Sequence, residues 1–260
     1  MNIHGQMLKL NQGKAINMSN KIKAVFFDCW DTVISFKEKN KHWNTQALKH
    51  HCLNLSDVSF EEVEAYAQKF LKGYYMSFSN YEITAKQFLT LLCRNFDLKL
   101  DCPISQCTHE ILTNLDPQMI PGLDSFLRYL ESNGLYYAIL SNTIYDEKDT
   151  LDIINKLVSP NRFRFFLGSA DIGVKKPNPD FFLTGLKMAG FKPEEAVYVG
   201  DSLFADVYGS NKAGFKKSIW LNLKNQNPDN FEHVPEKDKL EYINCHSYQE
   251  VIQAFKDQKL

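Results

Sequence analysis

Long hydrophobic runs are missing from this chain. No apolar stretch approaches the roughly 20 residues a helix needs to span a bilayer, and the opening MNIHGQMLKLNQGKAINMSN is too polar for the centre of a signal peptide. No membrane partner and a cytoplasmic location are therefore expected. Charge of one sign is missing too: 30 Lys and Arg stand against 31 Asp and Glu, a formal net charge of −1. That balance gives no long-range field to draw the protein to nucleic acid or an anionic surface, so no nucleic-acid partner is expected. Metal-type cysteine spacing is absent as well, because Cys29, Cys52, Cys93, Cys102, Cys107 and Cys245 form no CxxC and no Cys/His zinc pattern. Reduced, mostly buried thiols follow, and Cys102 with Cys107 lacks the spacing of a redox pair. His42, His50 and His51 have no partner pattern for metal and are expected at surface or packing positions.

What is present suffices for a full core. The chain has 260 residues, 44% hydrophobic and 23% charged, sized for one domain or one domain with a smaller insertion. It carries no internal repeat or low-complexity tract. Short apolar runs alternate with amphipathic stretches, the pattern of βαβ units around a parallel sheet covered on both faces. Residues 22–28 (IKAVFFD) are nearly continuously apolar and stop at an acid, as a central strand buried on both faces would. From residue 36 to 119 no strand-like run appears. Instead Val63, Ala67, Phe70 and Leu71, then Phe88, Leu91, Leu92 and Phe96, recur at helical spacing, which predicts about four helices. Helix starts are expected at Ser59, three residues before Glu62, and at Asn80 ahead of Tyr81-Glu82-Ile83.

Alternation resumes after Pro121-Gly122. It predicts a helix over 123–132 stopped by Asn133-Gly134, a strand over 135–140, a helix over 147–157, an apolar run 163–167 and a helix after Pro179. A strand over 196–199, a helix near 203–213, a strand over 218–221, and a short strand and helix at 242–243 and 248–255 complete the chain. The expected division is a polar extension (1–20), an α/β core (21–35 and 120–260) and a helical insertion (36–119).

In open α/β sheets the site forms outside the carboxyl ends of the strands, so the residues on which strands end carry the chemistry. One strand ends in Asp28-Cys29-Trp30-Asp31-Thr32, another in Ser141-Asn142, and a third in Gly200-Asp201-Ser202, with Asp206 on the following turn. Lys175-Lys176-Pro177-Asn178-Pro179 lies between the last two. Carboxylates, a hydroxyl with backbone amides, and an ammonium around one point suit a hard divalent cation and a phosphoryl group. An Asp can attack phosphorus in line when a cation screens its charge from the dianion it approaches.

With these residues in view, the chain resembles the haloacid dehalogenase (HAD) superfamily, in its phosphatase-like branch with a helical cap between the first two motifs. VFFDCWDTVI, AILSNT, GVKKPNPDFF and VYVGDSLFADV are similar to its four motifs, in order, from Lys23 onward. The resemblance implies a doubly wound, Rossmann-like parallel-sheet core of the α/β class with an inserted α-helical cap. It also implies Mg²⁺ as cofactor and a small phosphorylated metabolite as substrate. Asp28 matches the nucleophile and a metal ligand, the backbone carbonyl of Trp30 a second ligand, and Asp201 a third. Ser141 and the amide of Asn142 match the groups that hold the phosphoryl oxygens, and Lys176 the ammonium that pairs with nucleophile and phosphate. Thr32 matches the hydroxyl that steadies the first loop. Asp206 matches an acid that supports the metal from behind its direct ligands or through water.

One position departs from the pattern. The family's phosphatases place a second Asp two residues after the nucleophile, to protonate the leaving oxygen and later activate water; here Trp30 stands there. Asp31 follows, where the family usually has Gly or Asn. Loss of general acid help, typically worth about 10²–10⁴-fold, predicts slow or substrate-limited turnover. Two other readings are a phosphate- or metabolite-binding protein with little turnover, and a dehalogenase, whose branch also lacks this Asp but needs no metal. Trp30 is expected to stack on substrate or to pack as an aromatic. Lys175 is expected to be solvated, Cys29 to be a small buried thiol, and the aromatic stretch 73–81 to serve packing more than ligand contact.

Overall fold

The first strand, β1 (Ala24–Phe27), reads AVFF with every side chain buried, which only a strand covered on both faces permits. The computed structural model describes residues 21–36, 45–76, 79–159 and 162–258. The expected extension 1–20, His42 and part of the aromatic stretch 73–81 lie outside these described residues. Along the chain β2 (Ile34–Phe36), β3 (Pro117–Met119), β4 (Tyr136–Ser141), β5 (Phe166–Gly168), β6 (Ala196–Gly200), β7 (Lys217–Leu221) and β8 (Tyr242–Cys245) follow. All but β2 and β3 join one parallel sheet in the order β5-β4-β1-β6-β7-β8.

Helices cover both faces. α5 (Leu123–Ser132), α6 (Glu147–Val158), α7 (Ser169–Ile172), α8 (Pro179–Ala189), α9 (Gly209–Lys212) and α10 (Tyr248–Lys256) belong to the sheet layers. Because side chains alternate along a strand, Ala24 and Phe26 pack with Phe181, Phe182 and Leu186 of α8. Val25 and Phe27 turn to the opposite layer, with Phe126 of α5 and Val251 of α10. The fold is α/β, as expected.

The sheet register decides where the polar strand ends emerge. Phe27 stands beside Ile139 of β4 and Val199 of β6, and Asp28 N donates to Val199 O at 2.9 Å. Asp28, Ser141 and Asp201 therefore come out on one edge, at neighbouring strands.

Between β2 and β3 the chain forms α1 (Gln46–His50), α2 (Phe60–Met76), α3 (Ala85–Asn95) and α4 (Ile104–Thr113). The absence of strands between 36 and 119 is corrected: β3 lies inside that range and pairs antiparallel with β2, Ser35 opposite Gln118. A three-residue pair that begins with proline carries no alternation to read. α2 starts where Ser59 predicted, with Glu62 N donating to Ser59 Oγ at 3.4 Å. α3 starts at Thr84, not Asn80, through a reciprocal cap in which Gln87 N donates to Thr84 Oγ1 (3.0 Å) and Thr84 N to Gln87 Oε1 (2.9 Å). Residues 80–82 are held by another chain segment: Lys175 N donates to Asn80 O (3.0 Å), Glu82 N to Gly173 O (3.0 Å), and Tyr81 bridges Val174. The helix expected near 203–213 is a π-helical stretch, Leu203–Tyr208, followed by α9.

Candidate active site

β1 delivers Asp28 to the carboxyl edge of the sheet, 6% exposed. Its Oδ1 accepts from Lys176 Nζ at 2.6 Å and from Ser141 Oγ at 3.1 Å. Lys176 Nζ donates also to Asp206 Oδ1 (2.7 Å) and to the Tyr198 hydroxyl (2.8 Å). All three of its protons are thus directed, and the ammonium is fixed between two carboxylates. The Tyr198 hydroxyl in turn donates to Leu140 O at 2.7 Å.

Backbone bonds lock the lysine's origin. Asn142 Nδ2 donates to Lys176 O (2.9 Å) while its Oδ1 accepts from Lys176 N (2.8 Å), so the Asn142 side chain grips both sides of one residue. Asp206 Oδ2 accepts from Ser202 N at 2.9 Å, which folds the turn after β6 back onto the site. Gly200 makes room for this: a Cβ there would overlap the Asp206 carboxylate. Thr32 is fully buried, and its carbonyl accepts from the Tyr248 hydroxyl at 2.8 Å. Its own hydroxyl finds no hydrogen-bond partner among the described residues.

The charges do not balance. Ligand atoms of Asp28, Asp201 and Asp206 lie within 4.8 Å of one another, and among the described residues Lys176 is the ammonium that pairs with Asp28 and Asp206. Burial pushes the Asp28 carboxyl up to about 6, against the pull of Lys176. Burial, with Asp206 and Asp28 nearby, holds Asp201 well above the usual carboxylate range. Burial lowers Lys176, but Asp206 and Asp28 outweigh it and keep the ammonium above its ordinary value. Buried oxygens with negative charge in excess fit a hard divalent cation such as Mg²⁺.

The structure brings Asp28, Ser141, Lys176, Asp201 and Asp206 together, with Asn142 bracing Lys176 from its side chain. Trp30 packs as an aromatic: its ring stacks on Phe36 of β2, centroids 4.8 Å apart at 28°. Asp31 takes a left-handed conformation, φ 57°, and its Oδ2 accepts from Lys224 Nζ at 2.9 Å. Both Asp31 and Asp201 line a cleft of about 180 Å³ with Phe36, Leu223 and Lys224. Lys175 is not solvated: it is 8% exposed and its Nζ sits 3.9 Å over the Tyr74 ring. The pairing of residues 80–82 with 173–175 covers it, a contact no local pattern announces. Cys29 is fully buried, as expected. Tyr198 was missed by motif reading. Its signal is a phenol in an otherwise apolar strand, AVYVG, two residues before Gly200.

Fold and site define an α/β protein with an aspartate-centred site at the carboxyl edge of its sheet. The chain belongs to the haloacid dehalogenase-like hydrolases, whose family sequence model matches residues 25–220. It is 27% identical to the glyceraldehyde 3-phosphate phosphatase of Pyrococcus furiosus over 208 residues, 77% of this chain and 81% of that one. It is 31% identical to phosphoglycolate phosphatase 1 of Pseudomonas aeruginosa over 99 residues, which spans 38% of this chain and 35% of the relative. Among solved structures, the 2-haloacid dehalogenase of Pseudomonas syringae pv. Tomato DC3000 superposes with a TM-score of 0.66, covering 91% of this chain and 99% of that one at 21% identity. The HAD phosphatase of Thermococcus onnurineus gives 0.61, with 90% and 98% covered, also at 21% identity. Both structural likenesses are of fold.

Proposed function

We propose that this hydrolase is a Mg²⁺-dependent phosphatase of small phosphorylated metabolites that works through an aspartyl-phosphate on Asp28. The observation that carries the reading is the buried Asp28–Lys176 pair at 2.6 Å, with Ser141 on the same carboxylate oxygen. Relatives named as phosphatases of glyceraldehyde 3-phosphate, phosphoglycolate and phosphoserine support it. Asp28, the Trp30 carbonyl and Asp201 would hold the cation, with Asp206 behind them. When bound, Mg²⁺ screens the negative charge of nucleophile and phosphoryl group.

Asp28 attacks phosphorus, the bond to the leaving oxygen breaks with its electron pair on that oxygen, and water later cleaves the aspartyl-phosphate. Lys176 and Ser141 fix the carboxylate plane and then bind the phosphoryl oxygens, with the Asn142 amide beside them. The loop that follows the nucleophile is steadied through the Thr32 carbonyl, which the Tyr248 hydroxyl holds, and not through the Thr32 hydroxyl that the family resemblance implied. The leaving group occupies the cleft beside Asp31, Phe36 and Asp201. Residues 36–119 act as the cap that encloses it, excluding water.

Among the described residues neither Trp30 nor Asp31 offers the leaving oxygen a proton, because Trp30 stacks on Phe36 and Asp31 pairs with Lys224. Turnover accordingly favours leaving groups that depart unprotonated, namely acyl and aryl phosphates. The test is phosphate release from acetyl phosphate and an activated aryl phosphate, with Mg²⁺ and with EDTA. Wild type should release phosphate only with Mg²⁺, and Asp28→Asn should lose this by on the order of 10⁴-fold or more. No release from either compound by wild type would make the protein a phosphate binder instead, and halide release in EDTA would make it a dehalogenase.

A further inference from the structure

Away from the sheet edge, the helical segment gathers a second set of donor atoms. Leaving α1, the chain pairs with the turn that precedes α4: Leu53 N donates to Lys99 O (2.7 Å), Asp101 N donates to His51 O (3.1 Å), and Cys52 bridges Leu100. These backbone bonds place His51 beside Asp101 and Cys102, whose ligand atoms all lie within 4.8 Å of one another. His51 Nδ1 is 2.7 Å from Asp101 Oδ1, and its Nε2 is 3.0 Å from Glu110 Oε1. Cys102 Sγ stands 3.6 Å from Sγ of Cys107 in α4.

An imidazolium between two carboxylates accounts for His51, Asp101 and Glu110 by themselves. It gives no reason for the Cys102 thiol to join them, with Cys107 next to it. A tetrahedral zinc does. With bonds of about 2.3 Å to sulfur and about 2.0–2.2 Å to nitrogen or oxygen, neighbouring donors around the ion stand about 3.3–3.8 Å apart. The 3.6 Å between the thiols matches that spacing, while the 2.7 Å hydrogen bond between His51 Nδ1 and Asp101 Oδ1 has to open by about 0.6 Å for both to ligate. Mixed nitrogen, sulfur and carboxylate donors favour zinc over magnesium or calcium. A carboxylate on the far nitrogen of the imidazole, here Glu110, is the arrangement that orients a ligating histidine. The Asp101 side chain is 52% exposed and gives the ion a way in, while Cys107 closes the site from the buried side.

We propose that His51, Asp101 and Cys102, with Cys107 drawn in through Cys102 as the fourth ligand, form a zinc site that ties the turn after α1 to the start of α4. Each binding event displaces the proton on His51 Nδ1 and the two thiol protons, which pass to the buffer, and no electron is transferred. With four protein ligands, the ion is enclosed and its role is to hold the segment's shape. Sequence spacing hid the site, because His51 lies in one turn and its partners in another turn and in α4, joined by backbone bonds and the bridge at Cys52 and Leu100.

The test uses the full chain, stripped of metal and kept in a thiol-free reductant, with Mg²⁺ present to fill the sheet-edge carboxylates. Cobalt(II) alone should bind one equivalent with a sulfur-to-cobalt charge-transfer band and the strong visible bands of tetrahedral cobalt. Zinc alone should displace it, and zinc should raise the melting temperature. Cys102→Ser should abolish the charge-transfer band or reduce it to that of one thiolate, with much weaker binding. Glu110→Gln, which keeps every ligand, should weaken zinc affinity by about 10–100-fold, while Asp201→Asn should leave the band in place. A wild-type cobalt spectrum with no charge-transfer band, or a band unchanged in Cys102→Ser, overturns the proposal. So does a zinc affinity that Glu110→Gln leaves unaltered.

Discussion

The carboxyl edge of the sheet and the helical segment between β2 and β3 each collect titratable groups, by opposite means. At the sheet edge the groups come from consecutive strand ends, so parallel register alone makes Asp28, Ser141 and Asp201 neighbours. In the helical segment His51 and Asp101 meet because two turns pair through backbone bonds. Burial differs as well: the Lys176 and Asp206 side chains are 1% and 2% exposed, whereas Asp101 is half open. Charge interactions are strong where water is excluded and weak where it is not. Function therefore concentrates its electrostatics where the sheet supplies both proximity and enclosure.

The two adjacent lysines give the sharpest way to break that comparison. Lys176→Met removes the ammonium that pairs with Asp28 and, on the proposed function, should lower kcat by about 10²–10³-fold. Lys175→Met removes an ammonium stacked on Tyr74; it should leave kcat within about tenfold and lower stability by about 1 kcal/mol. Steady-state kinetics and thermal melts on the pair separate the roles, and equal losses of kcat would erase the distinction.

A smaller effect sharpens the electrostatic half. Asp201 is held well above the carboxylate range by burial and by Asp206 and Asp28. A carboxyl whose folded value is raised contributes most below its unfolded value, and that contribution is lost as pH rises through the folded one. At neutral pH without cation its charge is thus a burden. Asp201→Asn should raise the melting temperature in EDTA by about 2–4 °C and lose the further gain that Mg²⁺ gives wild type. Calorimetry with and without Mg²⁺ reads both, and a lower melting temperature in EDTA would contradict the assignment.

The smallest effect comes from an open network on the core. The Tyr137 hydroxyl donates to Glu131 Oε1 at 2.6 Å and Arg162 Nε donates to it at 3.1 Å. The tyrosine bond first, then the arginine, hold this carboxyl below its ordinary 4.5. Its stabilising share is present above that value and lost as pH falls through the depressed one. Glu131→Gln should accordingly flatten the acid limb of melting temperature against pH between about pH 3 and pH 5, with little change near neutrality. A parallel shift at all pH values would point to packing instead.

Much of this was legible in the sequence. Helix α5 falls at 123–132, and β4, β6, α6 and α10 begin within a residue of their expected starts, because apolar periodicity and end signals agree there. The residues on which strands end pointed to the site for the same reason. What stayed hidden is non-local. The β2–β3 pair, the early start wrongly placed at Asn80, the buried Lys175 and the His51–Asp101 approach all depend on which distant backbone groups find each other. Tyr198 belongs with them, since its hydroxyl acts through a lysine more than twenty positions away.

Lys175 and Lys176 are consecutive, yet they answer to different parts of the molecule. One is gripped by Asn80 and the Tyr74 ring of the helical segment, the other by Asn142 and the carboxylates of the sheet edge. A single peptide unit is thus the mechanical joint between the helical segment and the ammonium that pairs with Asp28. Any displacement of the helices that pulls on Asn80 loads that joint within one residue of the partner of Asp28. On the proposed function, substrate-sized motion at the rim would reach the alignment of Asp28 by the shortest covalent path a chain can offer.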